Sequence, residues 1–235
     1  MTRVLFLFFF LGASFSISCP KYDRLAQYGN FISWGDYQDT RAKVLIRDSK
    51  RPVTYRLPKT CVVDSGLWID PYSGDTLFSA SDLQIDHVVS LSEAHKSGAW
   101  AWTKEKRKSF TNFLDSSFHL LAVESALNSS KGDKDPGQWL PPNTSFVKEY
   151  VRDWIKIKVH WGLKADSAEL AALKAILTGT DSSLVYPDLA QEDICTDTGV
   201  VVALRRQSPV PRSVLPLGLE GFLFNGKYLV TGKVF

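Results

Sequence analysis

The chain is short of cysteine, of any large excess of one charge, and of long apolar runs. Three cysteines, at positions 19, 61 and 195, occur in 235 residues. They are too few for a disulfide framework, and their spacing is neither that of a zinc ribbon nor that of a redox motif. Lys plus Arg number 28 against 25 Asp plus Glu, a net charge of +3. An imbalance this small does not by itself point to nucleic acid, so any basic surface must be local. The run Val4 to Leu11 is well short of the roughly 20 residues that span a bilayer. No internal repeat stands out. What is present, 44% hydrophobic and 12% aromatic residues, excludes a disordered or collagen-like chain and a polytopic membrane protein.

Arg3 precedes that apolar run, and Gly12-Ala-Ser-Phe-Ser-Ile-Ser18 turns small and polar ahead of Cys19. This is the three-part pattern of a secretory signal, so residues 1–18 are read as a signal peptide and left out of the fold. The mature chain is expected to be secreted or periplasmic, with no integral membrane span. Cys19 leaves lipoprotein anchoring open, although Ser16 stands where a lipoprotein signal favours Leu. Export places Cys61 and Cys195 in an oxidising space, where they are available to pair.

All seven tryptophans lie between Trp34 and Trp161, which puts the aromatic core in the middle of the chain. A short helix is predicted over Asp39 to Ser49. Three short strands follow, at 52–55, 61–63 and 66–69, with a turn at 71–75. Leu83 to Val89 reads as a strand, 92–97 and 104–114 as helices, and Leu120 to Val123 as a second strand. A helix over Glu124 to Ser130 is ended by Gly132. Two more helices are predicted, Ser145 to His160 and Ser167 to Leu177, the latter capped by Asp166 or Ser167. Beyond Gly179 the composition shifts to Ser, Pro and Asp. Phe222-Leu-Phe224, Asn225-Gly226 and Lys227-Tyr-Leu-Val230 make a hairpin around a type I′ turn. The fold class is therefore α+β, with a domain at 19–178 and a linker plus a small C-terminal β extension at 179–235.

Asp86-His87 at the end of a predicted strand, His119 before the next strand and Asn128 on the following helix form the one constellation with chemistry. Such a set suits hydrolysis of a phosphodiester: a neutral imidazole takes a proton from water while a hard cation neutralises charge on phosphate and leaving oxygen. Oxygen ligands suit Mg²⁺, or another divalent cation such as Mn²⁺ or Ca²⁺, and Asp86 with Asn128 supplies two, the rest staying with water and substrate. Lys131, one turn after Asn128, is positioned to meet a neighbouring phosphate.

Asp86-His87-Val88-Val89-Ser-Leu91, Gly98-Ala-Trp100, His119-Leu-Leu-Ala-Val123, Asn128-Ser-Ser-Lys131-Gly-Asp-Lys-Asp-Pro136 and Trp139-Leu-Pro-Pro142 resemble the secreted HNH endonuclease family. That family is similar to the C-terminal nuclease domain of GmrSD-type restriction enzymes. The resemblance runs from about Trp34 to Leu177 and includes Asp39-Thr-Arg41 and Val44-Leu-Ile-Arg47-Asp48. It implies a ββα-metal, or His-Me finger, core with His87 as general base and Asp86 and Asn128 as metal ligands. His119 takes the central position of the motif, where relatives usually carry an Asn that braces the loop bearing the base. It also implies 5′-phosphate and 3′-hydroxyl products. Relatives usually show Pro at Ser90, Asp at Phe113, and a cysteine near Tyr37 that partners Cys61.

Arg41 is open between a bidentate phosphate clamp and a pairing with Asp39 or Asp48. His95 and His160 lack a partner at ligand spacing. Glu93 through Lys164 holds 12 basic and 8 acidic residues, a local +4 suited to backbone contact that reads charge rather than base sequence. The expected partner is accordingly nucleic acid, most simply double-stranded DNA with little sequence preference, with RNA as the other substrate. Two alternatives stand beside the nuclease: a catalytically degenerate module that binds nucleic acid or a surface ligand, and a zinc hydrolase using His87, His95 and His119. No HExxH or comparable helix spacing supports the second.

Overall fold

The computed structural model describes residues 20–57 and 61–177 and, beyond them, the backbone of four short strands. The expected signal segment, Cys19, the Cys195 side chain and most of 179–235 lie outside the described residues, and with them the expectations for cleavage, lipid attachment and Cys61–Cys195 pairing. Among the described residues, no helix is long and apolar enough to cross a membrane.

After a helical turn at Arg24–Tyr28, α1 spans Thr40–Asp48 because the Asp39 side chain accepts from the Ala42 backbone N–H at 2.8 Å, satisfying one of the free donors at its start. Ala42, Val44 and Leu45 are buried on one face. An antiparallel three-stranded sheet follows: β1 (Thr54–Tyr55), β2 (Val63–Ile69) and β3 (Thr76–Ser79). The sequence reading split β2 into two strands and placed none at 76–79. What joins the pieces is an irregularity between Ser65 and Trp68. Gly66 sits there because a Cβ would lie 2.5 Å from the Trp68 ring and 2.8 Å from Ser49 Oγ.

β4 (Leu83–His87) pairs antiparallel with β5 (Leu120–Glu124), His87 opposite Leu120 and Asp86 opposite Leu121. Between them run α2 (Leu91–Lys96) and α3 (Lys104–Thr111), and α4 (Ser125–Lys131) follows β5 without a break. Gly132, at φ 56°, ends α4 directly after Lys131, in a conformation that favours glycine. The last two helices are α5 (Val147–Trp161) and α6 (Ser167–Leu177), the latter with Asp166 accepting from the Glu169 N–H at 2.8 Å.

The β4–β5 ribbon lies between two cores. Leu83, Ile85, Leu120 and Ala122 join α1, Val63 and Trp68. Val88, Val89 and Val123 belong to the other, with Tyr72, Phe110, Tyr150 and Trp154. Strand alternation therefore sends odd-numbered β4 residues toward α1 and even-numbered ones the other way. Each of these buried aliphatics contributes about 1.5–3 kcal/mol, so the register of β4, and with it the placement of residues 86 and 87, is firmly set.

In the region beyond residue 177, β6 (Ile194–Cys195) pairs with β7 (Val201–Val202). In the separate unit 205–235, β8 (Gly221–Phe224) pairs with β9 (Lys227–Val230), with Phe224 opposite Lys227. The two arms expected on either side of Asn225-Gly226 thus pair, while the turn itself lies outside the described residues.

A buried ionic cluster ties the helices together. The Lys158 ammonium, fully buried, shares its three N–H groups among four acceptors: Glu93 Oε1 at 2.7 Å, Ser97 Oγ at 2.9 Å, the Lys164 carbonyl at 2.8 Å and Glu169 Oε2 at 2.7 Å. Burial alone would pull its pKa down, but Glu93 and Glu169 hold it above the ordinary lysine value. Lys158→Met leaves two buried carboxylates without their cation. It should cost about 3–5 kcal/mol in urea unfolding, whereas a loss below about 1 kcal/mol would mark the pair as a solvent-screened one.

Candidate active site

β4 ends at His87, and the Val88 N–H turns to the His119 carbonyl at 3.2 Å. This ending resolves the conflict between neighbouring strand residues that should face opposite ways. Asp86 and His87 do leave the ribbon on opposite faces, yet at its last residues both reach one cleft of about 260 Å³. Asn128, Ser90, Ser92, Asp133, Tyr22 and Arg24 are among its other lining residues.

His87 is held by the backbone. Its Nε2 lies 2.9 Å from the Thr111 carbonyl at the end of α3. A carbonyl can only accept, so Nε2 carries the proton and Nδ1 keeps its lone pair. The ring is stacked against Phe31 and Phe110, with centroids 5.9 and 6.2 Å away. Burial, with the neighbouring His119 as the next cause, pushes its pKa down to about 3, which keeps the imidazole neutral throughout the physiological range.

His119 braces the same helix end. Its Nε2–H donates to the Phe110 carbonyl at 2.8 Å, one residue before the carbonyl that fixes His87. Phe110, Phe113 and Trp161 surround the ring, with centroids at 4.6, 5.2 and 6.0 Å. Its buried Nδ1 has no partner among the described residues. Burial in this aromatic box drives the pKa down to about 4. The His119 side chain thus bonds the carbonyl next to the one that meets His87, and Phe113 forms part of the box around it.

Asp86 is 4% exposed. Tyr72 donates to Oδ2 at 2.5 Å and the Lys131 ammonium to Oδ1 at 2.9 Å. Burial raises its pKa, with Lys131 and Tyr72 pulling the other way. Asn128 and Lys131, three residues apart on α4, share a helix face. The Asn128 amide donates to Gln84 Oε1 at 2.8 Å, which leaves its Oδ1 for another partner. Both residues line the cleft, Asp86 with each carboxylate oxygen already accepting one hydrogen bond and Asn128 with Oδ1 outside its bond to Gln84. Among the described residues no group of three or more His, Cys, Asp or Glu could hold a metal ion. The donor set fits a cation that keeps most of its water, as Mg²⁺ does, and does not fit a closed zinc site.

Two expectations are corrected by these bonds. The Lys131 ammonium is fully buried and bonded to Asp86 and, at 3.0 Å, to the His87 carbonyl; it is not presented to a neighbouring phosphate. Arg41 takes neither of its two expected roles in the observed geometry: its Nη2 donates to the Ala80 and Leu83 carbonyls at 2.8 and 2.9 Å, clamping α1 to the start of β4. Both are long cations whose partners are oxygens of the chain itself, which residue spacing does not reveal. The three-histidine zinc arrangement also fails, since His95 donates from Nε2 to the Pro20 carbonyl at 2.8 Å and accepts at Nδ1 from Tyr28 at 3.2 Å. Sequence reasoning missed Thr111 and Gln84, which orient His87 and Asn128. A backbone carbonyl has no sequence signature, while Gln84, two residues before Asp86 on a strand, was findable from the period of two.

Residues 39–176 match the family model described as the C-terminal domain of GmrSD restriction endonucleases. A protein of Arthroderma benhamiae described as an uncharacterized secreted protein is 45% identical over 151 residues, which make up 64% of this chain and 72% of that relative. No solved structure matches the chain.

The depressed histidines link stability to pH. A His119 that is neutral when folded and titrates near the ordinary 6.5 when unfolded gives stability that is complete above about pH 6.5 and lost as pH falls toward 4. Between those limits its contribution changes by up to about 1.4 kcal/mol per pH unit. His119→Asn should flatten the pH dependence of unfolding free energy across this window, and equal slopes for the two proteins would contradict the assignment.

Proposed function

Because this chain belongs to the family of GmrSD restriction endonuclease C-terminal domains, we propose that it is an exported, metal-dependent endonuclease that hydrolyses phosphodiester bonds in DNA, with RNA as the alternative substrate. The observation that carries the reading is the convergence of His87 and Asn128 on one cleft, His87 with its Nδ1 lone pair left over. The secreted description of the Arthroderma benhamiae relative supports export.

In this reading β4, β5 and α4 are the ββα-metal core of a His-Me finger. His87 is the general base: Thr111 fixes the tautomer, so Nδ1 takes a proton from water as it attacks phosphorus. His119 positions the carbonyls that hold that base. Asn128 Oδ1 and Asp86 hold the cation, Mg²⁺ first and Mn²⁺ or Ca²⁺ in its place, which when bound supplies positive charge against the phosphate and leaving oxygen. Lys131 offsets part of the Asp86 charge, which favours a loosely held, exchangeable ion. Contact with the phosphate backbone rather than with base edges means little sequence preference.

Purified chain from residue 19 onward, incubated with supercoiled plasmid and Mg²⁺, should nick and then linearise it. Chelation should stop cleavage, and His87→Ala and Asn128→Ala should each reduce it by about 10²-fold or more. Retardation of the plasmid without cutting would replace the enzyme with the binding module.

A further inference from the structure

Phosphodiester cleavage needs positive charge on the phosphate itself as well as a base and a cation, and the two basic residues expected to provide it, Lys131 and Arg41, are bonded to Asp86 and to backbone carbonyls. Among the described residues that line the cleft, the fixed positive charge is Arg24. Its side chain is exposed, and Arg24 lines the same cleft as His87.

Arg24 lies on an anchored segment. It opens the helical turn Arg24–Tyr28, which Asp23 caps by accepting from the Ala26 N–H at 2.9 Å. His95 holds the approach to this turn through the Pro20 carbonyl at 2.8 Å, and its exit through the buried Tyr28 hydroxyl at 3.2 Å. The Arg107 Nε donates to the Gln27 carbonyl at 3.2 Å. Thr111 supplies the register: its hydroxyl, which has the Arg107 carbonyl at 3.0 Å as its nearer acceptor, also lies 3.3 Å from the Tyr28 carbonyl, while its own carbonyl accepts from His87 at 2.9 Å. The segment bearing the cation and the imidazole are thus both tied to a single residue. Asp133, which also lines the cleft, already takes Ser92 and Lys96, each at 3.2 Å.

We infer that Arg24 binds the substrate, its guanidinium pairing with the non-bridging oxygens of the phosphate under attack. The planar fork matches two phosphate oxygens at once, and pairing them against His87 orients phosphorus toward the water that Nδ1 deprotonates. Arg24 lies outside residues 39–176, so the family match does not assign it. The inference rests on the nuclease reading for its catalytic part and on the cleft geometry alone for its binding part.

The test uses the full mature chain with two readouts, kcat/KM on plasmid and, in a His87→Ala background, the salt dependence of affinity for a short labelled DNA duplex. Arg24→Gln should lower kcat/KM by about 10²-fold and reduce the slope of log affinity against log salt by about one unit. Arg24→Lys should restore the slope but only part of the rate, because a point charge replaces the fork. Lys21→Gln, an exposed neighbour that does not line the cleft, should retain both. Full rate and unchanged slope in Arg24→Gln, or an equal loss in Lys21→Gln, would overturn the assignment. If the wild type makes no metal-dependent cuts, the nuclease reading fails, while the slope of Arg24→Gln still decides whether Arg24 meets a phosphate.

Discussion

The bond from His87 Nε2–H to the Thr111 carbonyl, 2.9 Å long, is the constraint on which the account of this site depends. It fixes the tautomer of a buried ring, because an acceptor on one nitrogen determines which nitrogen keeps its lone pair. The surrounding structure maintains that bond. His119 holds the preceding carbonyl, Phe31 and Phe110 stack on the ring, and β4 pairs through its last residue with Leu120. Removing the imidazole from water is unfavourable for a charged ring, so the same burial keeps it neutral with the Nδ1 lone pair unprotonated.

Lys131 and Asp86 set the electrostatics on the other face of the ribbon. A carboxylate buried alone would be costly, and the ammonium at 2.9 Å with the Tyr72 hydroxyl at 2.5 Å compensates it. Because Lys131 also donates to the His87 carbonyl, the bridge joins α4 to the strand end that carries the base. The same contact limits how strongly Asp86 attracts a second cation. Asn128, whose amide is oriented by Gln84, is the less encumbered oxygen. Under the proposed function, a cation held by so few protein oxygens would exchange readily and take most of its coordination from water and substrate phosphate.

The elements around the site were legible in the sequence to within a residue or two where periodicity and caps agree. Asp39 starts α1, Gly132 ends α4, Asp166 caps α6, and the β-rich arms around Asn225-Gly226 pair as expected. The convergence of Asp86, His87 and Asn128 followed from the motif, and the strand's end at His87 explains how neighbours on a strand share a cleft. Three things were hidden. Backbone carbonyls such as Thr111 leave no trace in residue type. The destinations of long cations such as Lys131 and Arg41 depend on which oxygens tertiary packing brings near. Arg24 stands in a stretch with no motif, and tertiary bonds such as those from His95 to Pro20 and Tyr28 and from Arg107 to Gln27 show where that stretch lies.

Nitrogen-15 NMR of histidine-labelled protein tests the central claim most directly. His87 should show a protonated Nε2 and an unprotonated Nδ1 that stays so well below pH 6.5, with the Nδ1 signal selectively broadened by Mn²⁺. A proton on Nδ1, or titration near 6.5 with no response to Mn²⁺, would contradict it.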